Sequence, residues 1–198
     1  AGATMAHYRD ELGLDLVPGT GLLATAVPGA VDGYLLILRD PGVLDLETVL
    51  APAIHYAENG APIVPNICKT ISGVEEMFRD HWPTSMPVYM PNGEVPEAGT
   101  LLGNEGIAKT WKRLIDEAKS AGRDRQAQVE AARNAWGNGF VAEAIDKFCR
   151  ENEVMDVSGD PHKGVLTGDD MAGWRASYDT PLSYDFHGHT IFKIGPWS

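Results

Sequence analysis

Gly19-Thr20-Gly21-Leu22-Leu23-Ala24 fits G-x-G-x-x-A, the spacing with which a strand-to-helix turn holds a dinucleotide pyrophosphate on a helix N-terminus. Here Pro18 precedes the first glycine and Pro28-Gly29 ends any helix within a turn, so the flanking strand and helix are missing. His187 and His189 stand two apart, which on a strand would put both imidazoles on one face for a metal. A closed site needs further ligands, and no cysteine or acid cluster accompanies them, while His55 and His162 stand alone. No cofactor or metal is therefore expected. The acid pairs Glu75-Glu76 and Asp169-Asp170 could share general acid/base work. The first reads more simply as a solvated face, and Asp170 already has a structural role as a helix cap. Ser72-Gly73 and Ser158-Gly159 lack the G-x-S-x-G elbow that exposes an activated serine. Cys68 and Cys149 belong to no C-x-x-C pair and read as small buried or half-buried thiols, with a disulfide between them left open. No catalytic, substrate-binding or metal residue is assigned.

The elements that would position such groups are more legible. Leu14–Pro28 is punctuated by Pro18, Gly19 and Gly21 and reads as loop, with a short strand near Leu22–Val27. Ala30–Leu38, apolar on nearly every side, predicts a buried helix that stops at the turn Arg39-Asp40-Pro41-Gly42. Leu46, Val49, Leu50, Ala53, Ile54 and Ala57 form one apolar helical stripe, which Pro52 should kink or split and Asn59-Gly60 should end. Pro62–Pro96 is proline-rich and predicts extended chain and turns, with a strong turn at Pro91-Asn92-Gly93. Glu105–Lys119 carries Ile107, Trp111, Leu114, Ile115 and Ala118 on one side of a helix. Gly122–Ala135, rich in charge and alanine, predicts a helix lying on the surface. A further core helix, Phe140–Arg150, runs through Val141, Ala144, Ile145 and Phe148. Thr167-Gly168-Asp169-Asp170 has the spacing of a capping box, opening a helix that carries Met171 and Trp174. Ser183–Phe186 and Thr190–Ile194 then read as strands joined at His187-Gly188-His189.

The 198 residues are 43% hydrophobic and 22% charged, which suits one globular unit with a core. Sixteen basic against 28 acidic residues leave a net charge of −12. That sign argues against nucleic acid and against anionic membrane surfaces, both of which require gathered lysine and arginine. No apolar run nears the roughly 20 residues of a bilayer span. The stretch Ala1–His7 lacks the charged and apolar regions of a signal peptide.

Taken in order, the landmarks resemble the large subunit of the gamma-glutamyltranspeptidase family, which includes the cephalosporin (glutaryl) acylases. They are Val27-Pro28-Gly29-Ala30-Val31-Asp32-Gly33, Leu50-Ala51-Pro52-Ala53-Ile54 to Gly60, and Asn92-Gly93 through Gly99-Thr100-Leu101-Leu102. Trp136-Gly137-Asn138-Gly139-Phe140-Val141-Ala142 is similar to the family's F-Y-x-G-x-x-A, with one aromatic in place of two. Gly164-Val165-Leu166-Thr167 to Trp174 and Tyr178-Asp179-Thr180-Pro181-Leu182-Ser183 through Phe186-His187-Gly188 follow, and Pro196-Trp197-Ser198 resembles the start of a P-P-x-S-x-G loop. The stretch Gly122–Ala135 is longer than the family pattern and points towards the acylase branch.

The resemblance implies an α/β fold, part of the α/β/β/α sandwich of N-terminal nucleophile hydrolases, with this chain as a single, mostly helical segment (1–198) of the large subunit. It implies an autoprocessed precursor whose small subunit begins with the nucleophilic threonine or serine, acting on γ-glutamyl or glutaryl amides through an acyl-enzyme. On that reading the partners are the remainder of the precursor and a small-molecule amide, and the compartment favoured is periplasmic or secreted. The nucleophile and oxyanion donors are implied beyond Ser198, and a carboxylate-binding arginine before the first residue, a place that Arg9 does not occupy. The chain alone is expected to be inactive. A binding or regulatory module that has kept the scaffold and lost the chemistry is the alternative.

Overall fold

The computed structural model describes residues 2–195. Within them a helical body carries three small antiparallel two-stranded sheets. A wide π-type turn at Ala6–Glu11 and a 3-10 turn at Leu22–Ala24 precede α1 (Ala30–Arg39) and α2 (Leu46–Asn59). A second cluster follows, built from α3 (Pro65–Gly73), α4 (Glu75–Asp80) and α5 (Met86–Tyr89). It is flanked by β1 (Ala61–Pro62), which pairs with β2 (Leu101–Leu102). Then come α6 (Glu105–Ser120), α7 (Arg125–Asn138) and α8 (Phe140–Glu151), the small hairpin β3 (Val154–Met155) and β4 (Pro161–His162), and α9 (Gly168–Gly173). The hairpin β5 (Leu182–Phe186) and β6 (His189–Lys193) closes the described chain.

The main core gathers Leu35 and Leu46 with Leu114, Ile115, Val129, Ala132, Trp136 and Met171. Its centre is α7, so the expected surface helix is in fact the innermost one. Val129, Ala132, Arg133, Trp136 and Gly137 recur at i, i+3, i+4, i+7 and i+8 and are all buried. Arginine and glycine interrupt that stripe, and its small members let α1, α6, α8 and α9 approach closely. Trp136 stacks on Trp111 of α6, ring centres 5.6 Å apart. A smaller core holds Ile63, Ile71, Phe78 and Met90 between α3, α4 and α5.

Several expectations are corrected. Pro62–Pro96 is largely helical, because Pro65 and Pro87 occupy first-turn positions where no amide donor is needed. Of the two outcomes expected at Pro52 the split does not occur, since one helix runs through it; the proline ring stands exposed while Leu46 and Ala57 are buried and Leu50 and Ile54 pack against the core. Val49 and Ala53 of the same stripe are exposed. Leu22–Val27 finds no partner strand among the described residues and opens with the 3-10 turn, whose Leu23 carbonyl accepts from Tyr8 Oη–H at 2.9 Å. In α1 only Asp32, Leu35 and Leu36 are buried, with Tyr34 and Ile37 exposed. In α8, Ala142 and Cys149 are buried and Ala144 is exposed. The expected helices at 105–119 and 140–150 form with nearly those bounds. The capping box is present, Thr167 Oγ1 accepting from Asp170 N–H at 3.2 Å and Asp170 Oδ2 from Thr167 N–H at 3.1 Å. Pro196–Ser198 lies outside the described residues.

Candidate functional site

The first landmark, Val27 to Gly33, builds a track rather than a pocket. Val27 packs on the core, and the Pro28 carbonyl accepts from Trp136 Nε1–H at 3.2 Å, which fixes the start of α1 over α7. A Cβ on Gly29 would lie 2.3–2.7 Å from the Trp174 ring, so only glycine lets that indole rest on the backbone there. One helical turn on, a Cβ on Gly33 would meet Ala176 Cβ at 3.9 Å. Further along, Tyr178 Oη–H reaches the Leu36 carbonyl at 3.5 Å. The segment 174–178, the arm joining α9 to β5, thus runs along α1 past Gly29, Gly33 and Leu36 and in the same direction.

Asp32 lies between the two glycines in sequence and is 4% exposed. Both its oxygens are committed. Arg133 of α7 donates Nε–H to Oδ1 at 2.8 Å and Nη2–H to Oδ2 at 2.9 Å, a bidentate pair. Arg175 donates to Oδ1 at 3.2 Å, and the Ala176 amide to Oδ2 at 2.8 Å. Burial pushes the Asp32 carboxyl up, but Arg133, the Ala176 amide and Arg175 outweigh it and hold it below the usual carboxylate value. Arg133 also donates to Glu130 at 3.0 Å, and Glu130 accepts from Arg39 at 2.7 Å. Arg125 caps the end of α1 through the carbonyls of Leu38 (2.6 Å) and Arg39 (3.0 Å). Arg175 reaches Asn134 with its other nitrogen. These residues join α1, α7 and the arm into one charged seam. Sequence reading missed the seam; its one signal was an acid within the apolar run Val31–Leu38.

His162 is not isolated. Its Nδ1 lies 2.8 Å from Asp156 Oδ2, and Asp156, 2% exposed, also accepts from Ser158 N–H at 2.8 Å. Burial raises the Asp156 carboxyl, and Ser158 and His162 more than offset it. The pair ties β3 to β4, while Val157 N–H donates to Thr20 at 3.1 Å. Gly21 belongs to this contact: a Cβ on it would sit 2.6 Å from Asp156 Cβ, so the G-x-G pattern serves packing. Ser72, Glu75 and Glu76 are brought together at a cleft of about 690 Å³ between α4 and Val157, where Glu75 accepts from Arg79 at 2.6 Å.

The remaining candidates stay apart. His187 occupies the β5–β6 turn at φ 48°, and His189 opens β6, so the two do not share a strand. His55 lies with Asn59 on the outside of α2. Arg9 pairs with its neighbour Asp10. Ser158 shapes the β3–β4 turn. Cys68 and Cys149 are both free thiols, and burial pushes the Cys149 thiol up, away from reactivity. Cys149 packs under Gly164, where a Cβ would come within 2.7 Å of its sulfur. Among the described residues no group of three His, Cys, Asp or Glu side chains could hold a metal, and no helix is long and apolar enough to cross a membrane.

The hairpin presents apolar side chains to the outside. Leu182, Tyr184 and Phe186 alternate with Ser183 and Asp185 on β5, and Tyr184 faces Ile191 across the ladder. All ten strand residues are exposed.

The gamma-glutamyltranspeptidase family model matches residues 1–198. The chain is 27% identical over 202 residues to the glutathione hydrolase proenzyme of Bacillus subtilis (strain 168), covering 99% of this chain and 30% of that protein. It is 27% identical over 177 residues to the acylase ACY 1 proenzyme of Pseudomonas sp. (strain SE83), covering 89% and 27%. Among solved structures, LmbA2991HD matches with a TM-score of 0.94 at 52% identity, over 100% of this chain and 34% of that one. Cephalosporin acylase from Bacillus halodurans matches at 0.75 and 24%, over 98% and 33%. The chain therefore spans about a third or less of these relatives, and its fold is that of the corresponding part of the acylase.

Proposed function

The chain belongs to the gamma-glutamyltranspeptidase family, and on that premise we propose that it is a large-subunit segment of an amidohydrolase/acyltransferase acting on γ-glutamyl or glutaryl amides. In this reading the small subunit supplies an N-terminal threonine or serine. Its hydroxyl attacks the amide carbonyl, its own α-amine takes the proton, and the amine product leaves with that proton. The resulting acyl-enzyme ester is resolved by water or by a second amine. The segment described here contributes no reacting group; it is scaffold that positions the chain leading to the catalytic half.

The observation that carries the reading is the β5–β6 hairpin. An all-exposed two-stranded ribbon with Tyr184 69% and Phe192 66% exposed is marginal alone and, among the described residues, leaves both outer edges unpaired. It suits a sheet completed by the rest of the precursor. The match to proenzymes and acylases supports the same reading. The test is the whole precursor: intact mass and N-terminal sequence of its products, then release of p-nitroaniline from γ-glutamyl-p-nitroanilide and of product from a glutaryl amide. A new subunit beginning with Thr or Ser, with turnover that stops when that residue is replaced, is expected. An unprocessed protein that turns over neither substrate would overturn the proposal in favour of a non-catalytic module.

A further inference from the structure

We infer that Asp32 is a positioning residue that sets where the arm 174–178 leaves the helical body, and so where the β5–β6 hairpin meets the rest of the enzyme. Four observations converge on it. Asp32 is the one buried acid of α1, and both its oxygens accept from the arm as well as from α7. The Ala176 amide is held at 2.8 Å, and a backbone donor fixes register in a way that a side-chain contact does not. Gly29 clears the path for Trp174, so the arm is located by backbone approach at one end and by charge in the middle. Downstream of Tyr178, the five residues of β5 and the five of β6 are all exposed, so the arm is the stretch that ties the hairpin to the body.

The arrangement separates two duties of one carboxylate. The Arg133 pair joins α1 to α7 and belongs to the core. The Ala176 and Arg175 contacts join the core to the arm. A change on the arm side can therefore move the hairpin without opening the body. Misplacing a segment by an ångström is enough to disturb a reacting geometry built on it.

The experiment uses the complete processed protein. Ala176→Pro removes the amide donor while keeping the chain extended, and Arg175→Ala removes the outer ion pair; both leave Asp32–Arg133 intact. Amides of Leu182–Lys193 should exchange about tenfold faster or more in Ala176→Pro, the loss expected for one hydrogen bond to a charged acceptor. Amides of α6 and α7 should keep wild-type rates, and Arg175→Lys should restore what Arg175→Ala loses. Turnover of γ-glutamyl-p-nitroanilide should fall in kcat more than in KM for the loosened variants. Wild-type exchange across Leu182–Lys193 in Ala176→Pro and Arg175→Ala would overturn the inference, as would loss of protection spread evenly over α6 and α7. The consequence for turnover rests on the enzyme reading above. A wild-type protein without amidase activity would remove that reading and leave the exchange result standing.

Discussion

The Asp32–Arg133 pair is the most exacting contact at the scale of single residues. Asp32→Ala would leave a 5% exposed guanidinium without its bidentate partner, with Glu130 still paired to it, so a loss of about 3–5 kcal/mol is expected in denaturant unfolding of the protein. Acid unfolding offers a second check. The folded carboxyl ionises below its ordinary 3.8, so its contribution is complete above about pH 4 and is withdrawn as pH falls through the folded value. Wild type should thus lose stability below pH 4 more steeply than Asp32→Asn, and parallel acid limbs would exclude the assignment. Gly29→Ala tests the track: with a Cβ 2.3 Å from the indole, Trp174 must leave, which a crystal structure or its altered solvent exposure would show. The dinucleotide pattern at Gly19–Ala24 and the histidine pair at the hairpin fail on local grounds visible in the sequence. Asp32, Arg133 and Arg175 were not legible as a group, because their separations of 101 and 143 residues leave no local pattern.

Helices and strands were read unevenly, and for identifiable reasons. Where apolar residues recur cleanly, as in α6, or where a cap is spelled out, as at Thr167–Asp170, sequence and structure agree. α7 was misplaced because burial there is achieved with Ala132, Gly137 and a paired arginine, none of which raises hydrophobicity. Pro62–Pro96 was misread because prolines that break a helix interior are harmless in its first turn. The α2 stripe yields a graded prediction. Leu46→Ala, at a fully buried position, should cost about 2–5 kcal/mol, Leu50→Ala less, and Val49→Ala within about 0.5 kcal/mol of zero. Unfolding midpoints of the three variants in one denaturant would check the order. Equal losses at Leu46 and Val49 would mean that the outer face of α2 is covered in the assembled protein.

At the scale of the whole molecule, the chain alone should be catalytically silent. Assayed against γ-glutamyl and glutaryl amides at high concentration, it should show no turnover above buffer, and measurable turnover would place reacting groups within these residues. Its hairpin amides should also exchange quickly when the chain stands alone and slow when the rest of the precursor is present. The family was legible from ordered landmarks, and the structure gives two of them a mechanical meaning: Gly29 makes room for Trp174, and Gly164 makes room for Cys149.

The track on α1 also bears on synthesis. Ala176 follows Asp32 by 144 residues, so α1 is complete long before its cover exists. At Gly29 what it leaves bare in the meantime is backbone, the place that the Trp174 ring later covers. In the finished fold Arg133 of α7 shares the Asp32 carboxylate with Arg175 and the Ala176 amide of the arm. Seating of the arm therefore draws on the first helix and the central one together, and a chain with a misplaced α7 should hold its apolar ribbon less firmly.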